Sequence, residues 1–205
     1  MIKNIIFDMG GVLIRFDRKY FIERLGISGE DEELLMREVF HSLEWVRMDR
    51  GSLTDAEAAE SICRRVPERL HDAVHKLVSM WDRPIMPVEG MEELIAELKD
   101  MGYPIYLLSN ASCRQGDYWP RIPASRYFDG KLVSWSVGLV KPQPEIYYKL
   151  CATFGLKMDE CVFIDDDNGN IEGAFFSGMH GIVFHGDVSI LRRDLRAAGV
   201  YVKAE

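Results

Sequence analysis

Cysteine is scarce in this chain, and the little there is lies scattered. Cys63, Cys113, Cys151 and Cys161 form no CxxC pair, which argues against a thiolate zinc knuckle or a disulfide framework and fits reduced thiols in a cytoplasmic protein. No uncharged apolar run is long enough to span a bilayer. The apolar N-terminus, MIKNIIFDMGGVLI, is interrupted by Asp8, and no small-residue cleavage pattern follows a basic region. Positive charge is in deficit, with 25 Lys and Arg against 33 Asp and Glu and a net charge of −8. Neither nucleic acid nor a membrane is therefore expected as a partner, although a pocket can still be positive toward a small anion. Repeats and low-complexity segments are absent, as are GxSxG and the Walker lysine loop. His71 and His75 lie four apart on one predicted helix, but no acidic third ligand accompanies them, so a solvated helix face is the simpler reading.

What is present is an ordinary globular composition, 47% hydrophobic and 28% charged over 205 residues, enough for one full core and an insertion. Ile2 to Phe7 is an apolar run closed by Asp8 and two glycines, the pattern of a buried strand running into a loop. From about Arg15 to Pro87 every pattern is helical. Asp17 can cap a helix carrying Phe21, Ile22 and Leu25; Leu34, Leu35 and Val39 form a second stripe; Thr54 with Glu57 has capping-box spacing; and Leu70 to Trp81 repeats at helical intervals. Strands and helices then alternate. Helices are predicted over Met91–Leu98, after Pro144, over Ile171–Ser177 and after Asp187; strands over Pro104–Leu108, Lys131–Trp135, Cys161–Ile164 and Gly181–Phe184. The expected fold is α/β: a Rossmann-like, doubly wound, parallel five-stranded sheet formed by residues 1–14 and 88–205, with a small α-helical cap inserted at 15–87.

Ligands of such sheets sit beyond the carboxyl ends of the strands. There the sequence places Asp8 after the first strand, Ser109 and Asn110 after the second, Asp165, Asp166 and Asp167 after the fourth, and Lys141 ahead of a helix beyond the third. Each has a plain alternative. Asp8 and the aspartate run can cap turns, and Lys141 can be a solvated loop lysine. The acidic run beside a strand end is costly without a cation nearby, which favours a metal site.

Four strings taken together resemble the motifs of the haloacid dehalogenase superfamily, most of whose members are phosphatases. They are IIFDMGGVL, LLSN, Lys141 in GLVKPQPEIY, and FIDDDNGNIEGA, in order and each at a predicted strand end or loop. The resemblance covers essentially the whole chain, helical cap included. Within the superfamily the chain looks most similar to small sugar-phosphate phosphatases of the glucose-1-phosphate type, which tend to carry Gly at the position of Gly10. The resemblance implies a Mg²⁺-dependent phosphomonoester hydrolase that acts through an aspartyl phosphate on a small phosphorylated metabolite such as a hexose 1-phosphate, as a monomer or weak homodimer.

The implied roles are specific. Asp8 is the nucleophile. Asp8, Asp166, the main-chain carbonyl of Gly10, and Asp165 directly or through water hold the Mg²⁺, with Asp167 and Asn170 supporting them. Ser109 and Asn110 bind the phosphoryl oxygens, and Lys141 neutralises developing charge. A cation is needed on physical grounds. A carboxylate ~4 Å from a phosphate dianion is repelled by roughly 8 kcal/mol at an effective dielectric of ~20, and a divalent ion at a similar distance reverses that. Arg18, Glu44, Trp45, Arg47 and Arg50 fall in the cap, where a leaving group would be read, but each alone fits core or surface equally well.

One departure matters. Many phosphatases of this type carry a second Asp two residues after the nucleophile as general acid and base; here that position is Gly10. Three outcomes are open: another carboxylate such as Asp17 or a cap residue substitutes, the leaving group needs little protonation, or the protein is slow or inactive. The alternative activities are therefore a 2-haloacid dehalogenase, which needs no metal, and a weakly catalytic or inactive binding module.

Overall fold

A computed structural model describes residues 1–203. The chain runs β1 (Asn4–Phe7), α1 (Arg18–Glu23), α2 (Glu30–Leu35), α3 (Leu43–Asp49), α4 (Asp55–Cys63), α5 (His71–Met80), α6 (Met91–Asp100), β2 (Ile105–Ser109), α7 (Gln115–Tyr118), β3 (Gly130–Val133), α8 (Pro144–Phe154), β4 (Cys161–Asp165), α9 (Asn168–Phe176), β5 (His180–Val183) and α10 (Val188–Ala197). All strands are parallel, in the order β3-β2-β1-β4-β5. The chain adds β2 and β3 on one side of β1, then crosses to add β4 and β5 on the other. That reversal opens a crevice at the carboxyl end of β1, where Asp8 emerges.

Both faces of the sheet are covered, which is why its strands read as unbroken apolar runs. Ile5 and Phe7 of β1 join Val162 and Ile164 of β4 in a core that extends to Leu94, Ile95 and Leu98 of α6. Ile6 and Phe163 point the other way, against Ile146, Tyr147 and Leu150 of α8 and Ala174 of α9. Residues between β1 and β2 carry helices down to Met80, and these join the first core through Phe21, Ile22, Leu35, Val74 and Leu77. The chain leaves and re-enters this insertion side by side: the Arg15 N–H donates to the Met86 carbonyl at 2.8 Å, and the Val88 N–H to the Leu13 carbonyl at 3.0 Å.

Local chemistry sets the helix starts. Asp17 accepts from the Tyr20 N–H, and Thr54 and Glu57 complete their reciprocal capping box. Several boundaries lie a residue or two from expectation, and two of the shifts have a local cause. Helix α9 begins at Asn168, earlier than Ile171, because Asp167 caps it by accepting from the Asn170 N–H at 3.0 Å. Strand β3 stops at Val133, short of Trp135, because the Ser134 hydroxyl turns inward to accept from the Ala111 N–H at 3.0 Å and to donate to the Asp49 carbonyl. The short turns of helix over Gln115–Tyr127 have too little periodicity to be read in advance. Among the described residues no helix is long and apolar enough to cross a membrane.

Candidate active site

The site grows out of the ends of β1, β2 and β4. Asp8 is fixed through its backbone, whose N–H donates to the Ile164 carbonyl at 2.8 Å. Its side chain is mostly buried. Lys141 arrives from the loop ahead of α8, with Nζ 2.8 Å from Asp8 Oδ1 and 2.6 Å from Asp165 Oδ2. Asp165 is fully buried and its oxygens are heavily engaged. Oδ1 accepts from the Asp167 N–H at 2.8 Å, and Asn170 Nδ2 lies 3.1 Å from both oxygens. Burial works against the Lys141 ammonium, but Asp8 and Asp165 more than offset it and hold its pKa above the usual lysine value. Burial likewise pushes the Asp8 carboxyl up, and Lys141 pulls it back.

Asp166 differs from its neighbour: the residue is largely exposed, but its carboxyl is turned into the site, where partial desolvation together with the Asp165 charge raises its pKa. Oxygens of Asp8, Asp165 and Asp166 all lie within 4.8 Å of one another, the one such cluster among the described residues. Three carboxylates facing a single lysine leave excess negative charge that a cation would relieve. Two further features fit a hard divalent ion. The Gly10 carbonyl takes no hydrogen bond among the described residues. Gly11, at φ 79°, has no side chain to block Asp166. Oxygen donors of this kind suit Mg²⁺.

These groups open into a cavity of about 490 Å³ lined by Asp8, Gly10, Asn110, Lys141 and Asp166 on the sheet side. Facing them, Phe16, Phe40, Trp45 and Trp81 of the insertion and Tyr118 of α7 form an aromatic wall, with ring centroids 4.9 Å apart for Phe16–Trp81 and 5.2 Å for Trp81–Tyr118. A wider, shallower groove of about 820 Å³ runs along Arg15–Lys19 and Gly186–Ser189, but it carries none of the converging carboxylates.

Of the residues expected from sequence, Asp8, Gly10, Lys141, Asp165 and Asp166 converge. Two are placed differently. The Asn110 amide is turned to the main chain of Lys141: Oδ1 accepts from the Lys141 N–H at 2.8 Å, and Nδ2 donates to its carbonyl at 3.0 Å. Ser109 is only 1% exposed in β2 and is not among the cavity-lining residues, whereas Ser112 is. Arg18 and Trp45 reach the cavity. Glu44 is instead tied to Arg65 and Ser61, and Arg47 and Arg50 do not line it. Asp49, at the end of α3, was missed by sequence reasoning because no motif marks it. The available signal was a carboxylate at a helix C-terminus, where the macrodipole disfavours it.

A parallel doubly wound sheet thus carries an aspartate, a lysine and an acidic pair at its carboxyl rim. The model of the haloacid dehalogenase-like hydrolases matches residues 2–178, and the chain belongs to that family. Among curated relatives, a flavin mononucleotide hydrolase of Arabidopsis thaliana is 26% identical over 162 residues, covering 79% of this chain and 64% of the relative, so this chain spans less than two thirds of its length. A D-ribitol-5-phosphate phosphatase of Bacteroides thetaiotaomicron is 25% identical over 182 residues, covering 83% of this chain and 86% of the relative. Among solved structures, a HAD family enzyme from Bacteroides thetaiotaomicron in a magnesium complex superposes with a TM-score of 0.70 at 26% identity, over 94% of this chain and 98% of that one.

Proposed function

We propose that this chain is a Mg²⁺-dependent phosphomonoester hydrolase that works through an aspartyl phosphate on Asp8, with a small phosphorylated sugar such as a hexose 1-phosphate as substrate and residues 15–87 serving as the cap over the site. The observation that carries this reading is the packing of Asp8, Asp165 and Asp166 within one cation's reach, with one buried lysine against two of them. The kinship with a flavin mononucleotide hydrolase and a ribitol-5-phosphate phosphatase supports phosphate esters as the substrate class.

When bound, Mg²⁺ offsets the repulsion between carboxylate and phosphate dianion. Asp8, the Gly10 carbonyl and Asp166 are its holders, with Asp165 at hand. The fit differs among them, since Asp165 is already engaged by Lys141, Asn170 and the Asp167 N–H. Asp165 therefore serves mainly to keep Lys141 in place. Lys141 in turn occupies Asp8 Oδ1, leaving the other oxygen to attack phosphorus, and offers its remaining charge to the phosphoryl oxygens. Asn110 acts through Lys141, while the hydroxyl of Ser112, which lines the cavity, completes the donor set. The aromatic wall excludes water and packs on the carbon face of a sugar.

Phosphate release across sugar 1-phosphates, pentitol phosphates and flavin mononucleotide, with and without Mg²⁺, tests the reading. The expected pattern is Mg²⁺-dependent turnover of at least one ester that Asp8→Asn abolishes. Halide release from 2-haloacids that survives EDTA would establish the dehalogenase instead.

A further inference from the structure

We propose that Asp49, carried on the helical insertion, is the general acid and base of this site and does the work for which Gly10 has no side chain. The proposal rests on the phosphatase reading above and adds the proton carrier that reading lacks.

Asp49, at the end of α3, lines the same cavity as Asp8, Gly10 and Asp166, which come from the loops after β1 and β4. Its place is fixed from the core. The Ser134 hydroxyl donates to the Asp49 carbonyl while accepting from the Ala111 N–H, next to the Asn110 that holds Lys141. Two residues on, Gly51 adopts φ 74° and lies so close to the Trp135 carbonyl that a β-carbon would stand 2.3 Å from its oxygen. The end of α3 is thus fastened onto the loop after β3, which makes the position of Asp49 a property of the sheet.

Elimination points the same way. Among the titratable groups of the cavity, Asp8 is paired with Lys141, Lys141 with two carboxylates, and Asp167 caps α9. Asp166 is placed to hold the cation, and Arg18 cannot give up its proton. Burial drives the Tyr118 phenol far above neutrality. Asp49 is left: its carboxyl has no hydrogen bond or ion pair among the described residues, and no histidine lines the cavity. Burial raises its pKa to about 7, against the pull of Lys141 and Arg18 and with the push of Asp8 and Asp55. Either protonation state is then accessible near neutrality, as an acid that later acts as a base requires.

The steps balance. Asp8 Oδ bonds to phosphorus as the ester P–O bond breaks, and the departing oxygen takes the proton from Asp49, giving the free alcohol. Asp49, now a carboxylate, removes a proton from water as the water oxygen bonds to phosphorus and the Asp8–phosphorus bond breaks. Phosphate leaves, and both residues return to their starting states.

The test compares an alkyl ester, glycerol phosphate or a sugar phosphate, with 4-nitrophenyl phosphate, whose leaving group needs no proton. Asp49→Asn should lose roughly 10²–10⁴-fold in turnover of the alkyl ester. On the aryl ester it should keep a first-turnover burst of about one equivalent of nitrophenolate, followed by slow turnover as the phosphoenzyme waits for its base. If Asp49→Asn does not fold, Asp49→Glu against Asp49→Gln supplies the same comparison, since only the former keeps a proton to give. Unchanged turnover, or an equal loss on both esters with no burst, overturns the assignment of Asp49 while leaving the phosphatase reading intact. Absence of phosphate release by the unmutated chain, or release undiminished in Asp8→Asn, overturns the phosphatase reading and this proposal with it.

Discussion

Gly11 lies so close to Asp166 that a β-carbon built on it would stand 2.1 Å from the carboxylate oxygen Oδ2. Its φ of 79° also lies in the left-handed region that L side chains rarely adopt. The second glycine of the FDMGGVL string therefore lets the loop after β1 and the loop after β4 share one space. Gly11→Ala should force Asp166 away from Asp8. The expected result is a 10–100-fold weaker Mg²⁺ dependence, in line with the ~10–100-fold cost of disturbing the partners of metal ligands, together with lower turnover. A Mg²⁺ titration of phosphate release checks this. An unchanged midpoint would mean that Asp166 holds no ion.

Asn110 gives a second prediction because it touches Lys141 only through the main chain. Asn110→Ala removes both bonds, and the Lys141 loop is then held by its ion pairs alone. Misplacement of a charged group by even ~1 Å can cost on the order of 10²-fold. On the proposed role of Lys141 in stabilising the transition state, turnover should fall by about that amount with KM changed far less. Asn110→Asp keeps the bond from the Lys141 N–H but loses the one to its carbonyl, so it should fall between. Steady-state kinetics of the two variants decide the point; a pure KM effect would place Asn110 against the substrate instead.

These two residues show how far the sequence could be read. The strands were legible because both faces of the sheet are buried, and Asp8, Lys141 and the Asp165–Asp166 pair stood out as polar residues directly after or beyond them. The parallel sheet follows from alternation, and the run of helices ahead of α6 from a long stretch without strand patterns; the strand order does not follow from either. The identity of hydrogen-bond partners did not follow. Nothing local distinguishes an Asn that faces a ligand from one that clamps a loop 31 residues away. Asp49 is the same kind of failure, because its meaning depends on Ser134, which is 85 residues distant. The short helices after β2 were invisible because their anchors are two arginines that meet a single aspartate from the insertion.

A pH prediction comes from Glu44, which was a candidate for reading substrate and is instead a structural anion. Arg65 hydrogen-bonds both of its oxygens, at 2.7 and 3.0 Å, and together with Ser61 holds its pKa at about 2 despite burial. The folded value lies below the ordinary 4.5, so the stabilisation is complete above pH 4.5 and drains away as pH falls toward 2. Arg65 is partly solvent-exposed, so the pair should contribute about 1–2 kcal/mol, well short of a fully buried ion pair. Glu44→Gln should lower stability by that amount at pH 7 and by steadily less from pH 4.5 downward. Urea denaturation of both proteins from pH 7 to 3 measures the difference; a gap that stays constant with pH would assign it to packing.

Asp82 ties the insertion to the sheet and supplies the last prediction. Its carboxylate is fully buried just beyond α5, where Arg114 Nη2 donates to Oδ1 at 2.6 Å and Arg121 Nη2 donates to Oδ2. Arg121 also donates to the Asp82 carbonyl at 3.2 Å, and Arg114 to the Val78 carbonyl at 3.4 Å. Removing one partner of a buried pair costs more than the pair contributes, because the remaining charge stays desolvated. Asp82→Ala leaves Arg114 with Asp55, at 3.7 Å, as its remaining counter-charge, so the loss should fall at or below the low end of the roughly 3–5 kcal/mol for an orphaned buried charge. Asp82→Asn, which keeps the shape and one acceptor, should cost less. The effect should reach the site as well, since Trp81 beside it forms part of the aromatic wall. Melting temperatures and KM for the same ester, measured together, separate the two consequences: a stability loss with KM unchanged would show that the latch holds the insertion in place without shaping the cavity.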